Sequence, residues 1–368
     1  SGGSLENVAP PACGYIFTHE NRPVCLGLEN RSEVRFGKEI RPGEGVGFNE
    51  DFSIKLDPLG GDTVAGASMD NYMIVFKESA TYAIAGAGPN DLGQNNTFSS
   101  PQLISSDIGC IDPKSVLQMP DGIVFKSRKG IYLLSRALDL QYIGAPVEDF
   151  NSATVLSTDI LRDVNEIRFV TDADVILVYN YFFKRWAIQD AVGALDATVW
   201  QQTRYIYLTS SRVLQEDPNT YLDDGSYVSS KIRTGWIKLA GLQGFQRIYK
   251  MAMLGTYYQN HAFAIRHYYD YSERVQDTVQ ITASSLVNTA TYGDSATYGA
   301  DDFYGGSQND EVYQLREDCP RQQCQSISFE FVDSIVGSNT GRGFSIEGLS
   351  LLVGIKSGLY RTSATRSV

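Results

Sequence analysis

Catalysis would need positioned histidines, thiols or paired carboxylates. The chain offers three histidines and five cysteines in 368 residues. His19 stands at a turn between two short apolar runs, and His261 and His267 lie on a predicted strand beside aromatic residues. There is no G-x-S-x-G, H-E-x-x-H, Walker A segment, EF-hand loop or C-x-x-C. Cys13, Cys25, Cys110, Cys319 and Cys324 form an odd set, which argues against a secreted disulfide framework. Reduced cysteines, buried or at edges, are therefore expected. Cys319 and Cys324 bracket CPRQQC, with no second cysteine pair or histidine near enough to give a zinc ion its roughly four ligands. The carboxylate pairs Asp172/Asp174, Asp223/Asp224 and Asp301/Asp302 sit in turn-rich stretches and read as turn residues. Gly86 and Gly88 lack both the third glycine and the following helix of a dinucleotide site. The expectation is a protein that is not an enzyme, with no catalytic residue, no cofactor and no metal. The remaining catalytic option is a glycosidase built from two carboxylates about 5–10 Å apart on different strands.

The elements that would position any such group come from a repeated local pattern. DNYMIVFKESATYAI (70–84), DGIVFKSRKGIYLL (121–134) and DVILVYNYFFKRWAI (174–188) each run from a turn residue into an apolar stretch, a polar break and a second short run. Each second run holds an aromatic, Tyr82, Tyr132 or Trp186, that follows Phe76, Phe125 or Tyr179 by six or seven residues. This is a hairpin signature. The copies recur at intervals of roughly 50 residues, the period of propeller blades. YIFTHENRPVCLGL (15–28) is a weaker fourth instance, with Phe17 and Val24 seven apart and a turn at Glu20-Asn21. SEVRFGK and DFSIKLD read as short alternating strands. A further hairpin at 197–217 comes only 28 residues on, Tyr179 to Tyr207. That interval implies a truncated blade or one completed elsewhere.

After Tyr227 the texture changes. SSKIRTGWIKL, GFQRIYKMAMLGTYY and HAFAIRHYYDYSERVQ predict longer alternating strands, joined by QSISFEFVD (325–333) and FSIEGLSLLVGIK (344–356). Five or six such strands predict a β-sandwich. The expected order is a lead segment at 1–12, a β-propeller-like domain of about four to five blades at 13–226, and a β-sandwich domain at 227–368. Within the last lies a Tyr/Gly-rich insert, 291–310, with Tyr292, Tyr298 and Tyr304 each followed by glycine and with Asp301 and Asp302 between. Such a segment forms little core, and tyrosine with glycine suits adaptable contacts. It reads as a surface loop or as a subunit-contact arm using those five residues.

Net charge is −12, with 22 Tyr and 17 Phe against 3 Trp. An acidic surface repels nucleic acid at long range, so a DNA-gripping role is not expected. No run of about 18 apolar residues could span a bilayer as a helix. Ser1-Gly2-Gly3-Ser4 looks like linker, and the chain is expected to be a processed product, an expressed piece or the ordered part of something longer.

The chain resembles the propeller-bearing tail proteins of short-tailed bacteriophages, the tail tubular or nozzle type and the DNA-stabilisation type of the neck. The resemblance extends over nearly the whole chain. FTHENRPVCLGLENRSEVRFGK carries basic positions matched by Arg22 and Arg35. The pairing of DNYMIVFKESATYAIAG with IGCIDPKSVLQMPDGIVFKSRKGIYLLS matches recurrent places at Gly109-Cys110, Ser115-Val116 and Gly130. TGWIKLAGLQGFQRIYKMAMLGTY, CQSISFEFVDS and GFSIEGLSLLVGIKSG match the family's last domain. The resemblance implies a structural virion protein, located in the tail or neck and assembled in the host cytoplasm. Its implied partners are copies of itself in a ring, commonly hexameric, other tail or neck proteins, and DNA in transient non-specific passage. The alternative is a receptor- or glycan-binding propeller module of a tail.

Overall fold

The computed structural model describes residues 5–190, 193–201, 204–241, 244–258, 261–282, 311–335 and 341–356. It divides into two compact units between Asp217 and Pro218. The fold is all-β, a propeller-like unit followed by a sandwich.

The first unit is five antiparallel sheets in chain order. Sheet 1 is β1 (Tyr15–His19), β2 (Arg22–Leu26), β3 (Glu33–Phe36) and β4 (Ser53–Lys55). Sheet 2 is β5 (Thr63–Met69), β6 (Tyr72–Lys77), β7 (Thr81–Ala85) and β8 (Gln102–Ser105). Sheet 3 is β9 (Leu117–Met119), β10 (Gly122–Ser127), β11 (Gly130–Ser135) and β12 (Leu140–Tyr142). Sheet 4 is β13 (Val155–Leu161), β14 (Glu166–Thr171), β15 (Val175–Asn180) and β16 (Arg185–Asp190). Sheet 5 has three strands, β17 (Ala194–Trp200), β18 (Arg204–Thr209) and β19 (Val213–Gln215). The early fifth hairpin thus belongs to a three-stranded sheet made wholly within 194–215. First strands lie against first strands, β1 on β5 and β13 on β17.

The hairpin pattern works as a meander whose two faces pack on different neighbours. Val24, Phe36 and Met73 join sheets 1 and 2, and Phe76, Phe125 and Leu134 join sheets 2 and 3. Val124, Phe169 and Tyr179 join sheets 3 and 4, and Val178, Ala197 and Tyr207 join sheets 4 and 5. Spacing decides which face an aromatic takes. At a spacing of seven, Phe125 pairs with Tyr132 and Tyr179 with Trp186 across the hairpin. At six, Tyr82 pairs with Val75 instead, and Phe76 with Thr81. A one-residue change of register moves a side chain to the opposite face. Tyr82 therefore joins the core toward sheet 1, and Phe76 the core toward sheet 3. The segment ahead of β1 is also tied in, since Val8 bridges to Phe48 and Leu5 packs against the core of sheets 1 and 2.

The second unit is a sandwich. One sheet has the order β20 (Lys231–Arg233), β25 (Ile327–Ile335), β22 (His261–Tyr269), β23 (Asp277–Thr282). The other is β24 (Glu311–Asp318), β21 (Phe245–Tyr257), β26 (Phe344–Lys356). Ile248, Met251, Met253, Phe263, Ile265 and Phe329 fill the space between them. SSKIRTGWIKL yields the three-residue β20 and, beyond Gly235, a single bridge from Ile237 to Ile327. β23 (DTVQIT) and β24 (EVYQLRED) take their places by pairing with β22 and β21.

Candidate functional site

Each histidine is held by specific partners. His19, 1% exposed, bonds Ser68 Oγ at 2.8 Å and the Gly86 carbonyl at 2.9 Å, linking sheet 1 to sheet 2. His261 Nδ1 lies 3.0 Å from Asp333 Oδ2, which also accepts from the Tyr227 hydroxyl at 3.3 Å. Fully buried His267 sits between two carboxylates, Asp277 Oδ2 at 3.3 Å from Nδ1 and Glu317 Oε1 at 3.6 Å from Nε2. The second contact crosses from one sheet of the sandwich to the other. Burial, then the charges of Asp277 and Asp318, pushes the Glu317 carboxyl up to about 7. Burial lowers His267, against a hydrogen bond to Asp277. Among the described residues no group of three or more His, Cys, Asp and Glu has the arrangement of a metal site.

The turn carboxylates behave as turn residues. Asp172 Oδ1 accepts from Thr154 N at 2.7 Å. Asp174 has φ +57° and accepts from Gly193 N at 2.9 Å. Asp224 has φ +49° in a turn whose Asp223 bridges to Ser226. Asp301, Asp302, Tyr292, Tyr298 and Tyr304 lie outside the described residues.

Two features that the sequence did not single out lie at the end of the first unit. One is a charged network between sheets 4 and 5. Arg168 of β14 donates to Glu216 Oε2 at 2.6 Å and to Glu166 Oε2 at 2.9 Å, with its guanidinium 4.9 Å from the centre of the Tyr205 ring. Asp159 of β13 is pushed up to about 6 by burial, then by the charge of Asp196 on β17. The hydroxyl of Tyr205 and Oδ2 of Asp159 are buried with no hydrogen-bond partner. These residues come from separate strands, so no local motif marks them. The other is apolar. Leu208 and Val213 are cross-strand partners on the face of sheet 5 opposite Tyr207, and both are exposed, 48% and 67%. Trp200, 58% exposed, alternates onto the same face. At the turn between β15 and β16, Phe182 and Phe183 meet edge to face at 5.0 Å, and both are exposed. A patch of this kind suits contact with another macromolecule. The hollow between sheets 3 and 4, lined by Lys126, Phe150 and Leu177, has no room for a water molecule.

No protein-family description matches this chain, and no curated protein does. Solved structures similar to it include the N-terminal domain of Nup159, at 9% identity over 89% of this chain and 94% of that one, with a TM-score of 0.33. Another is the WD40 domain of Toxoplasma gondii coronin, at 8% identity over 93% and 86%, with a TM-score of 0.31. Similarity at this level says nothing of activity, and the fold is read from the sheet order itself.

Proposed function

We propose that this chain is a structural subunit of a phage tail or neck that assembles with its own copies into a ring around the path of the genome. The sequence resemblance supplies the setting. The observation that carries the reading is the last sheet of the first unit, which ends the series with an uncovered apolar face, Leu208, Val213 and Trp200. Every earlier sheet packs a face of this kind against the next. Contacts between unlike surfaces that close by rotation make rings. The Tyr/Gly segment 291–310 is a second contact in this proposal, and its deletion is expected to weaken assembly while the first unit stays folded.

The mechanism is mechanical. A net charge of −12 leaves a channel wall with few cations for phosphates to bind, so DNA slides without being held. The test is assembly. Leu208→Asp with Val213→Asp is expected to leave the circular-dichroism spectrum unchanged and to abolish the oligomer in sedimentation. Exposed aromatics at Phe182 and Phe183 favour the second reading, a glycan- or receptor-binding module. Saturable glycan binding by the isolated chain, lost in Phe182→Ala, would select it.

A further inference from the structure

We propose that two adjoining turns at one end of sheet 4, 162–165 and 181–184, form an aromatic and basic tip that docks into the interface of an anionic lipid bilayer. The tip belongs to a single copy of the chain and needs no ring.

Both turns are four-residue connections. β13 and β14 close one on Leu161 and Glu166, and β15 and β16 close the other on Asn180 and Arg185. Each ends on a left-handed residue, Asn165 at φ +58° and Lys184 at φ +54°. Asn180 ties one turn to the other. Its Nδ2 donates to the Val164 carbonyl at 3.2 Å, and its Oδ1 accepts from Phe183 N at 3.0 Å. Tyr181 N donates to the Asn165 carbonyl at 3.0 Å. Just below, Trp186 donates from Nε1 to the Ile143 carbonyl at 2.7 Å, and its ring lies 4.8 Å from that of Tyr179. The tip is thus fastened to the sheet by side chains as well as by backbone.

What it presents to solvent is apolar at the centre. Phe182 is 70% exposed and Phe183 67%, and their rings meet edge to face at 5.0 Å. Val164 of the other turn is 48% exposed. Bare aromatics gathered in this way mark a contact surface.

Charge names the partner. Arg162, Lys184 and Arg185 are exposed at the same two turns, against one carboxylate, Asp163. Elsewhere in the first unit Arg35, Arg136 and Arg168 are paired with Glu33, Asp70 and Glu166. Among the described residues none of the three cations of the tip forms an ion pair. On a chain of net charge −12 the tip is a local reversal of sign. Long basic side chains reach lipid phosphates while aromatic rings settle at the headgroup level. A neutral glycan would use the rings and leave the cations with nothing to meet.

The experiment is co-sedimentation of the full chain with vesicles at low ionic strength. One set is phosphatidylcholine alone, and the other is phosphatidylcholine and phosphatidylglycerol in equal parts. The chain is expected to pellet with the second set and not the first, and to be released by salt. Phe182→Ser with Phe183→Ser is expected to lower partitioning by about tenfold or more. Lys184→Gln with Arg185→Gln is expected to lower it by about fivefold for each cation. All four side chains are exposed, so the circular-dichroism spectrum should not change. If one variant misfolds the other decides, and if both do, the wild-type contrast between the two vesicle sets decides. Equal pelleting with both sets, no pelleting with either, or binding that survives the loss of both phenylalanines would overturn the proposal. Saturable binding of a neutral glycan without vesicle binding would overturn it in favour of a sugar ligand.

Discussion

The rings of Phe76 and Phe125 lie 4.4 Å apart between centroids, the first from β6 of sheet 2 and the second from β10 of sheet 3. Both are fully buried. They occupy matching places in two copies of one sequence pattern, each followed by a buried lysine. Lys77 donates to the carbonyls of Asp57 at 2.6 Å and Leu59 at 2.8 Å. Lys126 pairs with Asp112 at 3.3 Å. The repeat thus supplies both halves of the contact between neighbouring sheets. Phe125→Ala is expected to destabilise the first unit by about 3–5 kcal/mol, the usual loss for a buried aromatic. Urea unfolding followed by tryptophan fluorescence measures it, and a change below about 1 kcal/mol would mean that the two sheets are not held by this pair.

Gly122 opens β10 at φ +153°, and a Cβ there would come 1.9 Å from the Leu134 carbonyl oxygen. The partner strand β11 has no room to give without breaking its pairing with β10. Gly122→Ala is expected to cost roughly 1–3 kcal/mol, as backbone strain at such a place does. Thermal unfolding by circular dichroism reads the loss, and an unchanged midpoint would refute the close approach.

The Glu317–His267 contact predicts a pH dependence in the second unit. The Glu317 carboxyl rises from its ordinary 4.5 to about 7, so folding favours its protonated form. The stability linked to that form is complete below about pH 4.5 and is lost as pH rises through about 7. The size is at most roughly 3 kcal/mol, at 1.36 kcal/mol per unit. His267 acts in the opposite sense, since its lowered value favours the neutral ring and gives stability that is lost as pH falls below its ordinary 6.5. Asp277 on β23 and Asp318 on β24 are the other charges bearing on the pair. Glu317→Gln keeps the shape and removes the carboxyl, so it should flatten the decline in urea midpoint between pH 5 and pH 8. An identical decline in the variant would contradict the assignment.

Much of this fold is legible in the sequence because a propeller sheet is a local object. Its strands are consecutive, its turns carry Asp and Gly, and a hairpin such as 122–135 pairs residues close in sequence. The same locality made Val34 and Phe36 readable as one face. The sandwich was harder, because β24 and β23 owe their places to β21 and β22, distant in the chain. β23 alternates Val279 and Ile281 with Thr and Gln over only six residues, and β24 breaks its alternation at Val312-Tyr313, so neither stands out as a long sandwich strand. The Arg168–Glu216 and His267–Glu317 contacts join residues about 50 apart in sequence, beyond the reach of a spacing argument. The six-residue interval at Phe76 and Tyr82 was visible, but its effect on facing needed the register.

The uncovered face of sheet 5 makes a prediction about assembly. Leu208 and Val213 are exposed partners on β18 and β19, and two carboxylates placed there would have to lose their water in any contact that covers this face. Leu208→Asp with Val213→Asp should reduce self-association at least tenfold in sedimentation velocity, about 1.4 kcal/mol or more. The thermal midpoint should stay within a few degrees of the wild type. Undiminished association in a folded variant would place the contact elsewhere.

The central claim is that copies of this chain encircle an axis. Native mass spectrometry of the purified protein, paired with negative-stain images of the same sample, tests it most directly. The expected result is a closed assembly whose mass is a whole multiple of 40.6 kDa, seen end-on as a ring with a central opening. A strict monomer at every concentration tried, with no association with virus particles, would contradict it.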